Sequence, residues 1–262
     1  MYRLLLEEIW IGEIMKGLSL FSGIGGLDLA FEWAGGEVVA MCEIDPYCQK
    51  VLRKHWPKIP IFGNVKELKG SDIKAVEIIY GGFPCQPFSF AGRRKGKGDD
   101  RYLWPEFSRL VREIKPRWIV AENVAGILRI AADDVCSDLE SQGYEVGIFD
   151  YEAAAVGAKH RRERVFFVAN SSSSRSSQTG KSGRFGTPLS KREFLKSSGS
   201  GSTFSAEFLS DSWKSEPRMD RVVDGIPHRL DRLKALGNAV VPQQVYPIFK
   251  AIFEAENEIQ KK

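Results

Sequence analysis

Short, continuous apolar runs closed by glycine or acidic residues alternate along this chain with stretches in which apolar positions recur every three or four residues. The runs at 17–21 (GLSLF), 37–42 (EVVAMC), 59–62, 76–80, 117–121 (RWIVA), 144–149 and 165–169 lack polar alternation and read as strands buried on both faces. Between them, 27–34 places Leu27, Ala30, Phe31 and Ala34 on one helical face. Helices are likewise expected over 46–55 and 102–115, from just after residue 124 to about 142, and over 243–254. Strand alternating with helix through residue 169 predicts an α/β fold with a mostly parallel sheet and helices on both faces. Residues 1–15 carry apolar positions near helical spacing and read as an extension ahead of the first core strand, with Met15 as a second candidate initiator. After residue 170 the periodicity stops. A Ser/Gly/Lys/Arg-rich tract runs to about residue 202, and no regular structure is expected in it.

The chain has 262 residues, 43% hydrophobic and 27% charged, which fits one sizeable soluble domain with a smaller lobe. No apolar run reaches bilayer length and no cleavable leader pattern is present, so no membrane partner is expected. Cys42, Cys48, Cys85 and Cys136 form no close Cys-x-x-Cys pair. That argues against a disulfide scaffold or a structural metal and for a reducing cytoplasm. The formal net charge of +4 changes the picture only through its distribution. Residues 171–215 hold seven Lys/Arg against three Asp/Glu, so the whole excess lies in the serine-rich tract.

The chemistry-bearing residues fall at the ends of the expected strands, where open α/β sheets bind their ligands. After the first strand, Ser22-Gly23-Ile24-Gly25-Gly26 opens a helix: a glycine turn beside free helix N–H groups, spaced GxGG rather than as the dinucleotide GxGxxG. The second strand ends at Glu43-Ile44-Asp45, and a carboxylate there suits a ribose diol, although Asp45 equally suits a helix cap. Asn64 follows the third strand, where a polar side chain can meet an adenine amino group. The fourth strand delivers Cys85 between Pro84 and Pro87, rings that stiffen the backbone around a nucleophile or around a buried structural thiol. A charged loop, 93–101, comes next and reads as a lid over phosphates or as solvated surface. Glu122 ends the fifth strand, and Arg162 and Arg164 alternate into the last, on one face if that segment is extended. A cysteine with a glutamate but without an adjacent imidazole disfavours papain-like proteolysis.

The segments LSLFSGIGGLDLAF, EIDPYC, GGFPCQPFS, ENV, RRERVFFVA and LGNAVVPQQV, in this order, resemble the cytosine-5 DNA methyltransferases of bacteria and phages. The resemblance spans nearly all of 16–169 and roughly 216–252. It implies a Rossmann-like S-adenosyl-L-methionine-dependent methyltransferase fold in which 16–170 is the catalytic and cofactor-binding domain. Residues 171–217 would form a short basic target-recognition region, and 218–262 would return to the catalytic domain. By resemblance Cys85 attacks carbon 6 of a cytosine flipped out of double-stranded DNA, and carbon 5 takes the methyl group, leaving S-adenosyl-L-homocysteine. Glu122 holds ring nitrogen 3 and the exocyclic amine, and Arg164, supported by Arg162, holds the carbonyl. Phe21, Gly23, Gly25 and Gly26 form the cofactor cradle. Glu43 takes the ribose, Asn64 approaches the adenine, and Pro84, Leu103, Asn238 and Val240 complete the pocket. Gln86, Ser89, Arg93, Arg94, Lys95, Lys97 and Arg101 contact DNA. The chain departs from the family at His160, which stands where a glutamine is usual, and in the brevity of 171–217. Recognition of a short site, help from another chain, or loss of recognition are the alternatives. The implied protein is a monomer in a bacterial cytoplasm, serving restriction–modification beside a cognate restriction endonuclease, or phage genome protection. A tRNA cytosine-5 methyltransferase and a catalytically silent DNA-binding relative are the competing readings.

Overall fold

A computed structural model describes residues 14–84, 102–158, 160, 162–171 and 229–260. One seven-stranded sheet, in the order β3-β2-β1-β4-β5-β7-β6, forms its centre. The chain runs β1 (Lys16–Leu20), α1 (Gly26–Trp33), β2 (Glu37–Cys42), α2 (Pro46–His55), β3 (Ile61–Phe62) and β4 (Ile78–Gly82). It continues as α3 (Trp104–Ile114), β5 (Trp118–Val124), α4 (Ala132–Ser141), β6 (Tyr144–Glu152) and β7 (Glu163–Ser171), then α5 (Arg229–Asn238) and α6 (Pro242–Gln260). Strands β3 to β5 pair in parallel, and β7 pairs antiparallel with both β5 and β6.

Each strand sends alternate side chains into two separate cores, as the two-residue period requires. Ile78, Tyr80, Trp118, Val120 and Phe166 face α1 and α6, whereas Ile79, Ile119, Ala121, Val165 and Phe167 face α3 and α4. α6 earns its position through Val245, Ile248, Phe249, Ile252 and Phe253, a buried stripe at helical spacing. Phe31 and Phe249 meet with ring centroids 5.3 Å apart, and full burial of each ring is worth about 1.5–3 kcal/mol.

The structure departs from the sequence pattern at definite places. Strand–helix alternation stops after β6, because 153–162 is shorter than the dozen or so residues that a parallel crossover needs. A 3-10 turn, Ala153–Val156, lets β7 return antiparallel and insert between β5 and β6. The expected helix up to residue 142 divides into a 3-10 turn, Ala125–Arg129, and α4, which opens on Asp133 and Asp134, suited to a helix N-terminus. β3 begins at Ile61 rather than at residue 59, since Pro60 offers a carbonyl to Met41 but has no N–H to donate. β4 runs on through the glycines expected to close it: a Cβ on Gly81 would collide with the Leu20 carbonyl of β1.

Chain order reverses at β1, with β2 and β3 to one side and β4 and β5 to the other. This is the switch point at which doubly wound sheets open a crevice at the carboxyl ends of their strands.

Candidate active site

The crevice is built first by the turn between β1 and α1. Phe21, Gly23 and Gly25 all adopt left-handed backbone, with φ of 54°, 56° and 90°. For Phe21, a non-glycine, this costs about 1–2 kcal/mol. Phe21 packs against the core on the α3 side, which helps hold it there. Gly25 is the residue before α1, in left-handed backbone with no side-chain cap, and a Cβ there would lie 2.4 Å from the Trp56 ring. Among the described residues, a Cβ on Gly23 would meet nothing within 4 Å, so the turn faces open space there. Gly26 is needed for a different reason: its Cβ would lie 2.5 Å from the Val240 carbonyl, which brings the segment between α5 and α6 directly over the turn.

Glu43, at the end of β2, accepts the Gly23 amide at 2.7 Å on one carboxylate oxygen and the Asp45 amide at 2.7 Å on the other. A carboxylate has about four acceptor sites, which leaves capacity for two hydroxyls. Asp45 caps α2 by accepting from Tyr47 and Cys48 at 2.9 and 3.3 Å. It also receives Lys234 of α5 at 2.7 Å, and this bond is the main reason its carboxyl titrates below the usual range. Asn64 closes a local turn, donating to Glu67 at 2.9 Å and accepting from the Lys66 amide at 3.1 Å. Leu103 precedes α3 and Pro84 follows β4, both half-buried; Asn238 ends α5, exposed.

At the other side of the crevice stands Glu122, two residues from the end of β5 and opposite Gly82 of β4. Its carboxylate lies where a Gly82 side chain would be: a Cβ there would sit 2.6 Å from Oε2. Arg164 pairs with Val124 across the β5–β7 ladder and is therefore a diagonal neighbour of Glu122, with Nε donating to Oε1 at 2.7 Å. Glu122 is 7% exposed. Burial pushes its carboxyl up to about 7, with the charges of Arg164 and Arg162 opposing that rise. A glutamate so placed exchanges a proton near neutrality, as acid–base chemistry requires. Asn123, also buried, donates to the Phe83 carbonyl at 2.9 Å and so anchors the chain two residues before Cys85.

Arg162 does not join Arg164 on an extended face. Its φ is 35°, so extension begins at Glu163, and its guanidinium turns to the carbonyls of Gly237 (2.7 Å) and Ala239. Burial holds that guanidinium below its usual range, and the charge of Arg164 adds to the effect.

Cys85, Gln86, Ser89, Arg93, Arg94, Lys95, Lys97 and Arg101 lie outside the described residues, as do 1–13 and 172–228. The remaining cysteines are poor nucleophiles: burial pushes Cys42 up to about 12 and Cys48 and Cys136 up to about 11. Among the described residues no group of three His, Cys, Asp or Glu side chains could hold a metal ion, and no helix is long and apolar enough to cross a membrane.

Beneath the glycine turn lies a buried polar network that sequence reading did not single out. The Tyr80 hydroxyl donates to Asp28 Oδ1 at 3.1 Å, and the Ser19 and Ser22 hydroxyls bond at 2.8 Å. Burial pushes Asp28 up to about 7, against hydrogen bonds from Ser19 and Tyr80. Asp28, Asn123 and Gln244 lie inside the quoted segments LSLFSGIGGLDLAF, ENV and LGNAVVPQQV but were given no role there; a polar residue on an otherwise apolar face was the available cue.

The family model for C-5 cytosine-specific DNA methylase matches residues 15–221. Type II methyltransferase M.FnuDI of Fusobacterium nucleatum is 38% identical over 159 residues, covering 59% of this chain and 46% of that protein. Type II methyltransferase M.NgoFVII of Neisseria gonorrhoeae is 38% identical over 160 residues, covering 58% and 43%. The chain thus spans less than half the length of these relatives. Among solved structures, an Escherichia coli prophage-encoded chain described as a DNA modification methyltransferase superposes with a TM-score of 0.54 at 27% identity, covering 63% of this chain and 49% of that one.

Proposed function

This chain belongs to the C-5 cytosine-specific DNA methylase family, and from that premise we propose that it methylates carbon 5 of cytosine in double-stranded DNA. The observation that carries the reading is Glu122: a buried carboxyl, titrating near 7, paired with Arg164 beside the strand that leads to Cys85. S-adenosyl-L-methionine supplies an electrophilic methyl group, and the residues present fit it. The Gly23 turn faces open space, and Glu43 keeps acceptor capacity for two hydroxyls. Phe21, Gly25, Gly26, Asn64, Pro84, Leu103, Asn238 and Val240 are assigned to the same pocket.

The target base must leave the duplex stack to reach this crevice. Glu122 then holds ring nitrogen 3 and the exocyclic amine, and with its proton in place it hydrogen-bonds the nitrogen on which charge develops. Arg164 takes the base carbonyl. The Cys85 thiolate adds to carbon 6, carbon 5 takes the methyl group, and loss of the carbon-5 proton with departure of the cysteine restores the ring. Gln86, Ser89 and the cations Arg93, Arg94, Lys95, Lys97 and Arg101 are assigned to DNA contact, since their charge suits phosphate. The relatives named Type II methyltransferases favour a restriction–modification role; a restriction endonuclease as partner, a monomeric state and a cytoplasmic location belong to the same proposal.

The test is transfer of tritiated methyl groups from S-adenosyl-L-methionine to unmethylated duplex DNA and to tRNA, with bisulfite sequencing of the DNA product. Carbon-5 methylcytosine in one recurrent short context is expected, and Cys85→Ser should abolish turnover while DNA is still bound. Transfer to tRNA alone, or methylation retained by Cys85→Ser, would overturn the assignment.

A further inference from the structure

Gln244 is the third residue of α6 and is completely buried, on the helix face that otherwise consists of Val245, Ile248, Phe249, Ile252 and Phe253. A primary amide in such a place loses its hydration and must recover it in hydrogen bonds. Its Nε2 donates to two main-chain carbonyls, those of Tyr151 and of Arg162, the latter at 2.9 Å. Tyr151 is the β6 residue directly opposite Arg164 in the β6–β7 ladder. One side chain therefore ties α6 to the edge strand β6 and to the residue just before β7, at the level of the arginine that grips Glu122.

Arg162 is the residue so held, and its backbone is strained, with φ of 35° in a non-glycine. Left to itself this residue would relax into the extended region, which is lower by about 1–2 kcal/mol. Two sets of bonds oppose that relaxation: Gln244 on its carbonyl, and the Gly237 and Ala239 carbonyls on its guanidinium. The arrangement leaves Gln244 Oε1 and Arg162 Nε buried without a partner among the described residues, a cost that packing alone gives no reason to bear. Two residues after this turn, Arg164 meets Glu122 at 2.7 Å.

We propose that Gln244 is a positioning residue for the carboxyl of Glu122: by fixing the left-handed turn at Arg162, it sets both arginines at the strengths with which they act on that carboxyl. In mechanistic terms this rests on the reading of Glu122 as the group that holds the target base; the placement of the groups does not. Among the described residues, the charges acting on Glu122 are those of Arg164 in β7 and Arg162 just before it, and Gly82 of β4 lies opposite. Both arginines oppose the upward pull of burial. Releasing Arg162 weakens that opposition, so Glu122 should bind its proton more tightly. The same turn also holds the 237–240 segment over Gly26, so it joins the cofactor side of the crevice to the base side.

The experiment is a 13C NMR titration of the full chain labelled at glutamate carboxyls, with Glu122 assigned through Glu122→Gln. Gln244→Met keeps the length of the side chain and removes the donor. Gln244→Asn keeps the donor and withdraws it by one methylene. Each variant is expected to raise the proton affinity of Glu122 about threefold or more, with the far-ultraviolet circular dichroism unchanged. The pH profile of methyl transfer should move upward with it. An unmoved Glu122 midpoint, whatever the change in melting temperature, would reduce Gln244 to a packing residue and overturn the proposal, as would loss of the fold in both variants. Absence of methyl transfer by the unsubstituted chain would instead overturn the reaction, and the titration result would stand apart from it.

Discussion

Gly82→Ala is the most economical probe of the site, because it adds one methyl group at a place where the consequence is calculable. The new Cβ would lie 2.6 Å from Glu122 Oε2 and 3.7 Å from its carboxyl carbon. Ordinary contact requires the oxygen to retreat by roughly 1 Å. It cannot retreat freely, since its partner oxygen is bonded to Arg164 at 2.7 Å and the residue is buried. Overpacking of this kind costs about 1–3 kcal/mol. For a chain of this size that is a drop of roughly 2–4 °C in melting temperature per kcal/mol. A misplacement of about 1 Å at a reacting centre can cost on the order of a hundredfold in rate. Methyl transfer to duplex DNA should therefore fall by about 10- to 100-fold in kcat, while the KM for S-adenosyl-L-methionine, whose proposed pocket is at the far side of the crevice, changes little. In a Glu122→Gln background the added methyl should cost much less, because the same interaction has already been damaged. Activity within about twofold of the unsubstituted chain, or losses that simply multiply in the double variant, would refute the claim that Gly82 makes room for Glu122.

Asp28→Asn tests the buried network beneath the glycine turn. Its folded-state value of about 7 stands above the ordinary 3.8, so its contribution to stability is full below pH 3.8 and is lost as pH rises to about 7. The variant should become more stable relative to the unsubstituted chain across that window, by on the order of 2–4 kcal/mol, as read from denaturant midpoints at pH 4 and pH 8; a difference independent of pH would mean that Asp28 is ionised in the fold. Replacing Lys181, Arg184, Lys191 and Arg192 together with glutamine should weaken DNA binding and reduce its salt slope, by about 0.9 for each phosphate contact removed. An unchanged slope would show that the basic tract does not face phosphate.

Much of this protein was written in local pattern. Two-residue and helical periodicities are properties of neighbouring residues, so the strands of the sheet and most of the helices could be read directly, as could α6 from Val245, Ile248, Phe249 and Ile252. Glycine turns, prolines and strand-end carboxylates are local as well, which is why Gly23, Gly25, Glu43, Cys85 and Glu122 stood out before any fold was in view. Family order followed from the same short segments. What only the tertiary structure decided depends on residues far apart in sequence. That β7 inserts between β5 and β6 sets which side chain lies diagonal to Glu122, and no run of residues encodes that neighbour. Arg162 reads in sequence as one of an alternating pair, yet its guanidinium is taken by carbonyls some seventy-five residues away. Gly82 looks like a strand terminator until Glu122 is seen occupying its missing side chain, and Gln244 looks like one more helix former until both of its acceptors are found on other elements. The physical reason is range: backbone conformation and amphipathicity are settled within a few residues, whereas burial, charge pairing and the space left by an absent Cβ exist only once distant strands have been brought together.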